Sequence, residues 1–350
     1  MILARPSVES LERYVAPLEG RRGCLRLDFN ENTLGPSPKV VAAIRALAPE
    51  AYATYPEYEG LVQQFASHVR LPASSVAVFN GADAAIRAVF DAFGEPGTTF
   101  LTTRPTFGYY RPCAQMAGMS IESVPYEADL SFPWRVFEAK LGAQPRISVI
   151  CNPNNPTSTL VEPARIVALA ALHPQTLFVV DEIYESFTGQ SVLPEAATLP
   201  NLLGLRSLSK SHGIAALRLG FACGSPELVE RVFRVTGPYD INALAVVAGK
   251  AALADPEYTS AYVAEVAAAK SWTLVQLARL GLRYFSQGGN YLLVWPGRDV
   301  ERVEAALREH GILVRSMAGK PLIDGSFRLS VGTRAQMQQF FSAFESVLLG

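Results

Sequence analysis

The 350 residues carry 31 lysines and arginines against 32 aspartates and glutamates, and 49% of them are hydrophobic. So even a charge balance excludes the basic footprint of a nucleic-acid-binding chain, and so apolar a composition excludes disorder. The length suits one large domain or two to three ordinary ones, and no run reaches the roughly 18 apolar residues of a membrane helix.

The opening segment MILARPSVESLERY is charged throughout and has no apolar core or cleavage site, so no secretory signal is expected. Cysteines at 24, 113, 151 and 223 form no CxxC pair, and histidines at 68, 173, 212 and 310 form no ligand pair. This fits reduced thiols in a cytoplasmic protein without a metal centre. Lysine occurs only at 39, 140, 210, 250, 270 and 320, the other basic residues being arginine.

In chain order, short apolar or β-branched runs predict strands at Val76–Asn80, Thr98–Thr103, Ile121–Pro125, Ile147–Cys151, Leu177–Asp181, Leu203–Ser207 and Leu219–Cys223. Helices are expected between them. In Ala82–Phe93 the apolar residues Ala85, Ile86, Val89, Phe90 and Phe93 recur at three and four, and Glu162–Leu172 is a second helix. The alternation predicts an α/β fold, with a mostly parallel central sheet flanked by helices.

From about residue 225 the texture changes. Helices are expected at Pro226–Val235, Ala243–Ala254 and Pro256–Leu280. Then come a strand at Tyr291–Trp295, a helix at Val300–His310, strands at Leu313–Arg315 and Phe327–Val331, and a last helix from Arg334. That is a smaller α+β domain. The expected division is a large domain over 33–245, and a small domain made of 1–32 plus 246–350, with no Gly/Ser linker between them.

Four segments carry chemistry. In Ser207-Leu208-Ser209-Lys210 a lysine follows a strand. At the carboxyl end of an internal strand it would face the ligand crevice and form a Schiff base with an aldehyde cofactor. The hydroxyls of Ser207 and Ser209 and the guanidinium of Arg218 would bind a phosphate. Alone, Lys210 reads more readily as a solvated loop lysine.

In Val179-Val180-Asp181-Glu182-Ile183-Tyr184 an apolar strand ends in a carboxylate, a suitable partner for a protonated pyridine nitrogen. Tyr184 follows as a donor to a phenolate oxygen. The plain alternative is a turn cap and ordinary packing. Cys151-Asn152-Pro153-Asn154-Asn155-Pro156-Thr157 has two X-Pro steps that fix a turn and put Asn155 at the sheet edge. Asn80-Gly81-Ala82-Asp83 joins a strand to a helix start, whose free N–H groups suit a phosphate.

Together, in this order, the four segments resemble the aspartate aminotransferase superfamily, the fold type I enzymes that use pyridoxal 5′-phosphate (PLP). The resemblance is closest to the histidinol-phosphate aminotransferase branch. It runs from Leu27-Asp28-Phe29-Asn30-Glu31-Asn32 and Gly35-Pro36-Ser37-Pro38 to Phe327-Arg328-Leu329-Ser330-Val331-Gly332-Thr333.

The resemblance implies that Lys210 holds the cofactor and shuttles the proton, that Asp181 pairs with its ring nitrogen, and that Tyr184 and Asn155 contact its phenolic oxygen. It implies a phosphate site of Ala82, Asp83, Ser207, Ser209 and Arg218, with Tyr110 stacked on the ring. Tyr55 matches a tyrosine that reaches the cofactor phosphate of the neighbouring subunit, which implies a homodimer with shared sites. At the substrate end Arg328 matches the arginine that grips an acidic group, and Arg315 lies thirteen residues earlier.

The implied reaction is transamination of a small amino substrate with a keto acid, best matched by histidinol phosphate with 2-oxoglutarate and glutamate. The alternatives are an aminotransferase for aromatic or other amino acids, or a decarboxylase resembling threonine-phosphate decarboxylase. Intact Lys210, Asp181, Tyr184 and Arg218 argue against a catalytically silent binding protein. Three positions depart from the family pattern: Ser158 stands where Gly is usual, Ala84 where Glu is common, and His212 in place of an aromatic after the lysine.

Overall fold

The computed structural model describes residues 2–11 and 17–349. An initial strand, β1 (Leu25–Arg26), precedes seven strands of one sheet: β2 (Val76–Asn80), β3 (Thr99–Arg104), β4 (Ser120–Pro125), β5 (Ile147–Cys151), β6 (Leu177–Asp181), β7 (Leu202–Ser207) and β8 (Leu219–Cys223). Their order is β2-β8-β7-β6-β5-β3-β4. Every pairing is parallel except the two made by β8, which runs antiparallel to both β2 and β7.

Strands β5, β6 and β8 are buried along their whole length. This is the continuous apolar pattern of strands covered on both faces. Alternate residues enter opposite layers: Phe178 and Val180 join one core with Phe65 and Phe221, while Val179 joins the other with Phe90 and Phe100. The helix Ala82–Phe93 covers the second layer with Ala85, Ile86, Val89 and Phe90.

The later part of the chain builds a second sheet and a second core. Strands β9 (Arg283–Phe285), β10 (Tyr291–Trp295), β12 (Arg315–Ser316) and β13 (Phe327–Ser330) form an antiparallel sheet in the order β12-β13-β10-β9, while β11 (Ile312–Leu313) pairs in parallel with β1. Leu27 thereby joins a core with Val266, Leu307, Phe327, Phe340 and Phe344. We propose that the two cores are two domains, the smaller one made from both ends of the chain. The helix Ala243–Leu253 buries Ala245, Val246, Ala248 and Ala252 in the first core, so we assign it to the larger domain.

One expected strand, Leu313–Arg315, is two. Val314 passes between them, so β11 serves β1 while β12 serves β13. The helices Pro38–Arg45, Glu59–Val69, Tyr110–Met116 and Trp134–Leu141 and the strand β9 are also present without having been expected. Pro112 lies within the first turn of Tyr110–Met116, where a missing N–H costs no hydrogen bond. Among the described residues, no helix is long and apolar enough to cross a membrane, and no group of His, Cys, Asp or Glu is placed to hold a metal.

Candidate active site

The carboxyl ends of β5, β6 and β7 lie side by side and lead into the Asn152–Thr157 turn, Asp181 and Ser207–Lys210. Two antiparallel steps through β8 give β2 the same direction, so Asn80–Asp83 and the start of β8 open on that edge too. The carboxyl edge of an open α/β sheet is where ligands bind.

Asp181 is buried at the end of β6. Its Oδ2 accepts from the Tyr110 hydroxyl at 2.5 Å, and its Oδ1 from the backbone N–H of Ile183 at 3.3 Å. Burial pushes the carboxyl up to about 6, against the hydrogen bond from Tyr110, which works the other way. Tyr110 was expected to stack on a ring. It is buried on this side of the site with its hydroxyl engaged by Asp181.

Lys210 Nζ donates to the Phe29 carbonyl at 2.9 Å and lies 5.7 Å from the Tyr184 ring centroid. Burial, and then the positive charge of Arg328, bring its ammonium down to about 8. Tyr184 is buried, and its hydroxyl accepts from Asn30 Nδ2 at 3.0 Å. Asn155 Oδ1 accepts from Arg328 Nη1, whose Nη2 donates to the Asp28 carbonyl.

The helix Ala82–Phe93 starts at Gly81 without a side-chain cap. Beside it, Arg218 Nη2 pairs with Asp83 Oδ2 at 2.6 Å. The cradle is close-fitting. A Cβ at Gly81 would stand 2.8 Å from Arg218 Cζ, and one at Gly220 would stand 2.8 Å from Ala82 Cα. Ser209 is buried. Ser207 shapes the turn: its hydroxyl donates to the Leu219 carbonyl and accepts from Ser209 N–H.

The structure thus gathers Lys210, Asp181, Tyr184, Tyr110, Asn155 and Arg328 into one linked set, with Asp83 and Arg218 joined beside the helix start. Arg315 lies in register opposite Arg328. Tyr55 stays apart. It is 70% exposed and stacks on the exposed Tyr239 at 4.1 Å between ring centroids.

Of the three departures, Ala84 is half-buried against the second core layer. His212 is buried, edge-on to His68 at 5.9 Å, with Nδ1 3.1 Å from Ser211 Oγ. Burial, and then His68, hold it down to about 4, so it is a neutral packing residue. Ser158 has a left-handed backbone, φ +66°, and is buried.

Sequence reasoning assigned no role to Phe29, Asn30 or Tyr291. Phe29 supplies the carbonyl for Lys210. Asn30 binds Tyr184 and exchanges two hydrogen bonds with Ser330. Tyr291 donates to the Asn154 carbonyl at 2.7 Å. A signal existed in Leu27–Asn32, where polar residues break an apolar start, but their partners lie about 150 to 300 residues away.

The chain matches the aminotransferase class I and II family over residues 22–344. It belongs to that family. It is 34% identical to the histidinol-phosphate aminotransferase of Symbiobacterium thermophilum, over 99% of both chains. Among solved structures, it is similar to the histidinol-phosphate aminotransferase of Sinorhizobium meliloti in complex with pyridoxal-5′-phosphate. There the TM-score is 0.89 and the identity 25%, over 99% of this chain and 97% of that one. It is also similar to the L-threonine-O-3-phosphate decarboxylase of Porphyromonas gingivalis, with a TM-score of 0.82 and 25% identity over 93% of this chain and all of that one.

This aminotransferase has the fold type I architecture, and its family is PLP-dependent. Its residues fit that cofactor. A half-buried amine of lowered pKa stands near a buried carboxylate at a strand end, and an uncapped helix start beside Arg218 offers an anion cradle.

Proposed function

We propose that this aminotransferase exchanges the amino group between histidinol phosphate and the 2-oxoglutarate/glutamate pair. The observation that carries the substrate is the register of Arg315 with Arg328, two guanidiniums at the substrate end of one sheet. Guanidinium groups bind phosphate or carboxylate through paired N–H donors. The full-length relative named histidinol-phosphate aminotransferase supports the same reading.

When bound, PLP supplies an electron-withdrawing ring that acidifies the Cα–H of an attached amine. The chain's own residues do the rest. Lys210 would hold the cofactor covalently, and its amine, once the substrate amine has replaced it on the cofactor, would take the Cα proton and return it at Nζ. A Lys210 pKa of about 8 keeps a useful fraction neutral near neutral pH. Asp181 holds a negative charge against the ring nitrogen, and Tyr110 orients its carboxylate. Tyr184 and Asn155 would hold the phenolic oxygen, Ala82, Asp83, Ser207, Ser209 and Arg218 would hold the phosphate, and Arg328 would hold the substrate's acidic group.

The exposed Tyr55–Tyr239 stack supports a homodimer in which Tyr55 completes the partner's phosphate site. We place the enzyme in the cytoplasm, as the cysteine usage favours. A half-reaction screen tests the proposal. The PLP-loaded protein is mixed with histidinol phosphate, tyrosine, phenylalanine and phosphothreonine, and its visible absorbance is followed. Conversion to the amine form by histidinol phosphate is expected. Conversion by tyrosine or phenylalanine alone would overturn the substrate. Release of carbon dioxide would instead favour the decarboxylase reading, which the likeness to the Porphyromonas gingivalis enzyme supports.

A further inference from the structure

Ser158 follows the turn that carries Asn155, in a left-handed conformation that strains any residue with a side chain. Its hydroxyl has a partner that glycine would lack: Oγ accepts from the backbone N–H of Gln287 at 2.9 Å. The Ser158 carbonyl accepts from Gly288 N–H at 2.8 Å, and Gln287 Oε1 returns to accept from Leu160 N–H at 2.8 Å. Three hydrogen bonds thus join 158–160 to 287–288, segments 129 residues apart at the serine.

The second segment is gripped from its other side as well. Lys270 Nζ donates to the Gly289 carbonyl at 3.0 Å and reaches the Gly288 carbonyl at 3.5 Å. Gly288 also lies hard against the Asn152–Thr157 turn, since a Cβ there would stand 2.5 Å from Pro153 Cγ. Each end of the junction leads to the substrate side. Ser158 N–H donates to the Asn154 carbonyl at 2.7 Å, next to Asn155. Gln287 and Gly288 lead into β10, whose Leu293 is in register with Arg328.

We propose that Ser158 is a positioning residue: its hydroxyl clasps the turn carrying Asn155 to the sheet carrying Arg328, and so sets the contact at which the substrate's acidic group is received. The inference rests on the reading of this site as that of an aminotransferase. No hydrogen bond of Ser158 or Gln287 runs to Lys210, Asp181 or Arg218 among the described residues, so the clasp reaches the site through the Asn155–Arg328 contact.

The test compares S158A, S158G and Q287L with the wild type, all PLP-loaded. Two readouts are followed: amide hydrogen exchange at Gln287 and Gly288, and steady-state kinetics with histidinol phosphate. S158G relieves the backbone strain, so it folds even if S158A does not. The expected result in S158G is exchange about tenfold faster at the Gln287 amide, with the Gly288 amide less affected because its acceptor is the retained backbone carbonyl of residue 158, and KM raised about tenfold, in line with one lost buried hydrogen bond and a displaced anchor. Its kcat stays within about twofold, and its PLP affinity changes less than its KM. Unchanged exchange and KM in S158G and Q287L would overturn the clasp, as would a fall in kcat with KM unaltered. A wild type inactive toward every amino donor would overturn the functional reading instead, while the exchange measurement still decides whether the hydroxyl holds the junction.

Discussion

Arg315 and Arg328 stand directly opposite each other on the antiparallel pair β12–β13. Opposed residues of such a pair project to the same face, and like charges there repel. Arg328 is tied to Asn155 and to the Asp28 carbonyl, whereas Arg315 has no carboxylate partner among the described residues. Lys320, in the loop between the two strands, is pulled below its ordinary value by burial and then by both arginines. We propose that three cations gathered this way receive an anion with more than one negative charge.

Arg328→Ala should therefore raise KM for every amino substrate by about 10- to 100-fold, the range for losing hydrogen bonds to a charged group. Arg315→Ala should raise KM for histidinol phosphate by about tenfold while leaving tyrosine and phenylalanine within about twofold. Steady-state kinetics on the three substrates checks this. An equal penalty on all three would remove Arg315 from phosphate recognition.

The hydrogen bond from Tyr110 holds the Asp181 carboxyl below where burial alone would take it. Tyr110→Phe should push that carboxyl up further and leave less of the anion near neutrality. The expected outcome is weaker PLP binding, several-fold at pH 7, with the deficit growing as pH falls through about 6. Equilibrium titration of the cofactor absorbance at several pH values checks it, and a pH-independent deficit would show that Tyr110 acts by packing alone.

The sheet and the cofactor side were legible because their signals are local. Apolar runs of five residues announced β2, β5, β6 and β8; the first three end in a polar residue or turn at the crevice, and β8 begins there. Lys210 and Asp181 could be named because each sits at a strand end. The substrate side was less legible because it is made of long-range contacts. Nothing near Asn30 in sequence says that it meets Tyr184, 154 residues later. The role of Ser158 was likewise hidden, since its partner Gln287 lies in an irregular loop. The split of one expected strand into β11 and β12 was hidden too, because alternation records a buried face and not which neighbour a strand pairs with.

His212 is buried beside His68 and held neutral down to about 4. Its folded value lies below its unfolded value near 6.5. The unfolded chain therefore binds more protons between the two, and stability falls as pH drops from 6.5 through 4. This one group accounts for a loss of about 3 kcal/mol across that window. Denaturant unfolding at pH 4.5 and 7 should show a smaller difference for His212→Gln than for the wild type. An equal difference would place the acid sensitivity elsewhere.

Arg328 also acts on Lys210, because its charge is the second cause of the lowered lysine value. Removing it should move the Lys210 value up from about 8. The rate at which PLP attaches to the cofactor-free protein should rise with pH through about 8 in the wild type, and through a higher pH in Arg328→Ala. Coincident pH profiles would separate the two residues.

Borohydride reduction of the PLP-loaded protein, followed by peptide mass spectrometry, tests the central claim most directly. The account predicts a single pyridoxyl label on Lys210, absent from Lys210→Ala. A label on another lysine, or one that persists in Lys210→Ala, would contradict it.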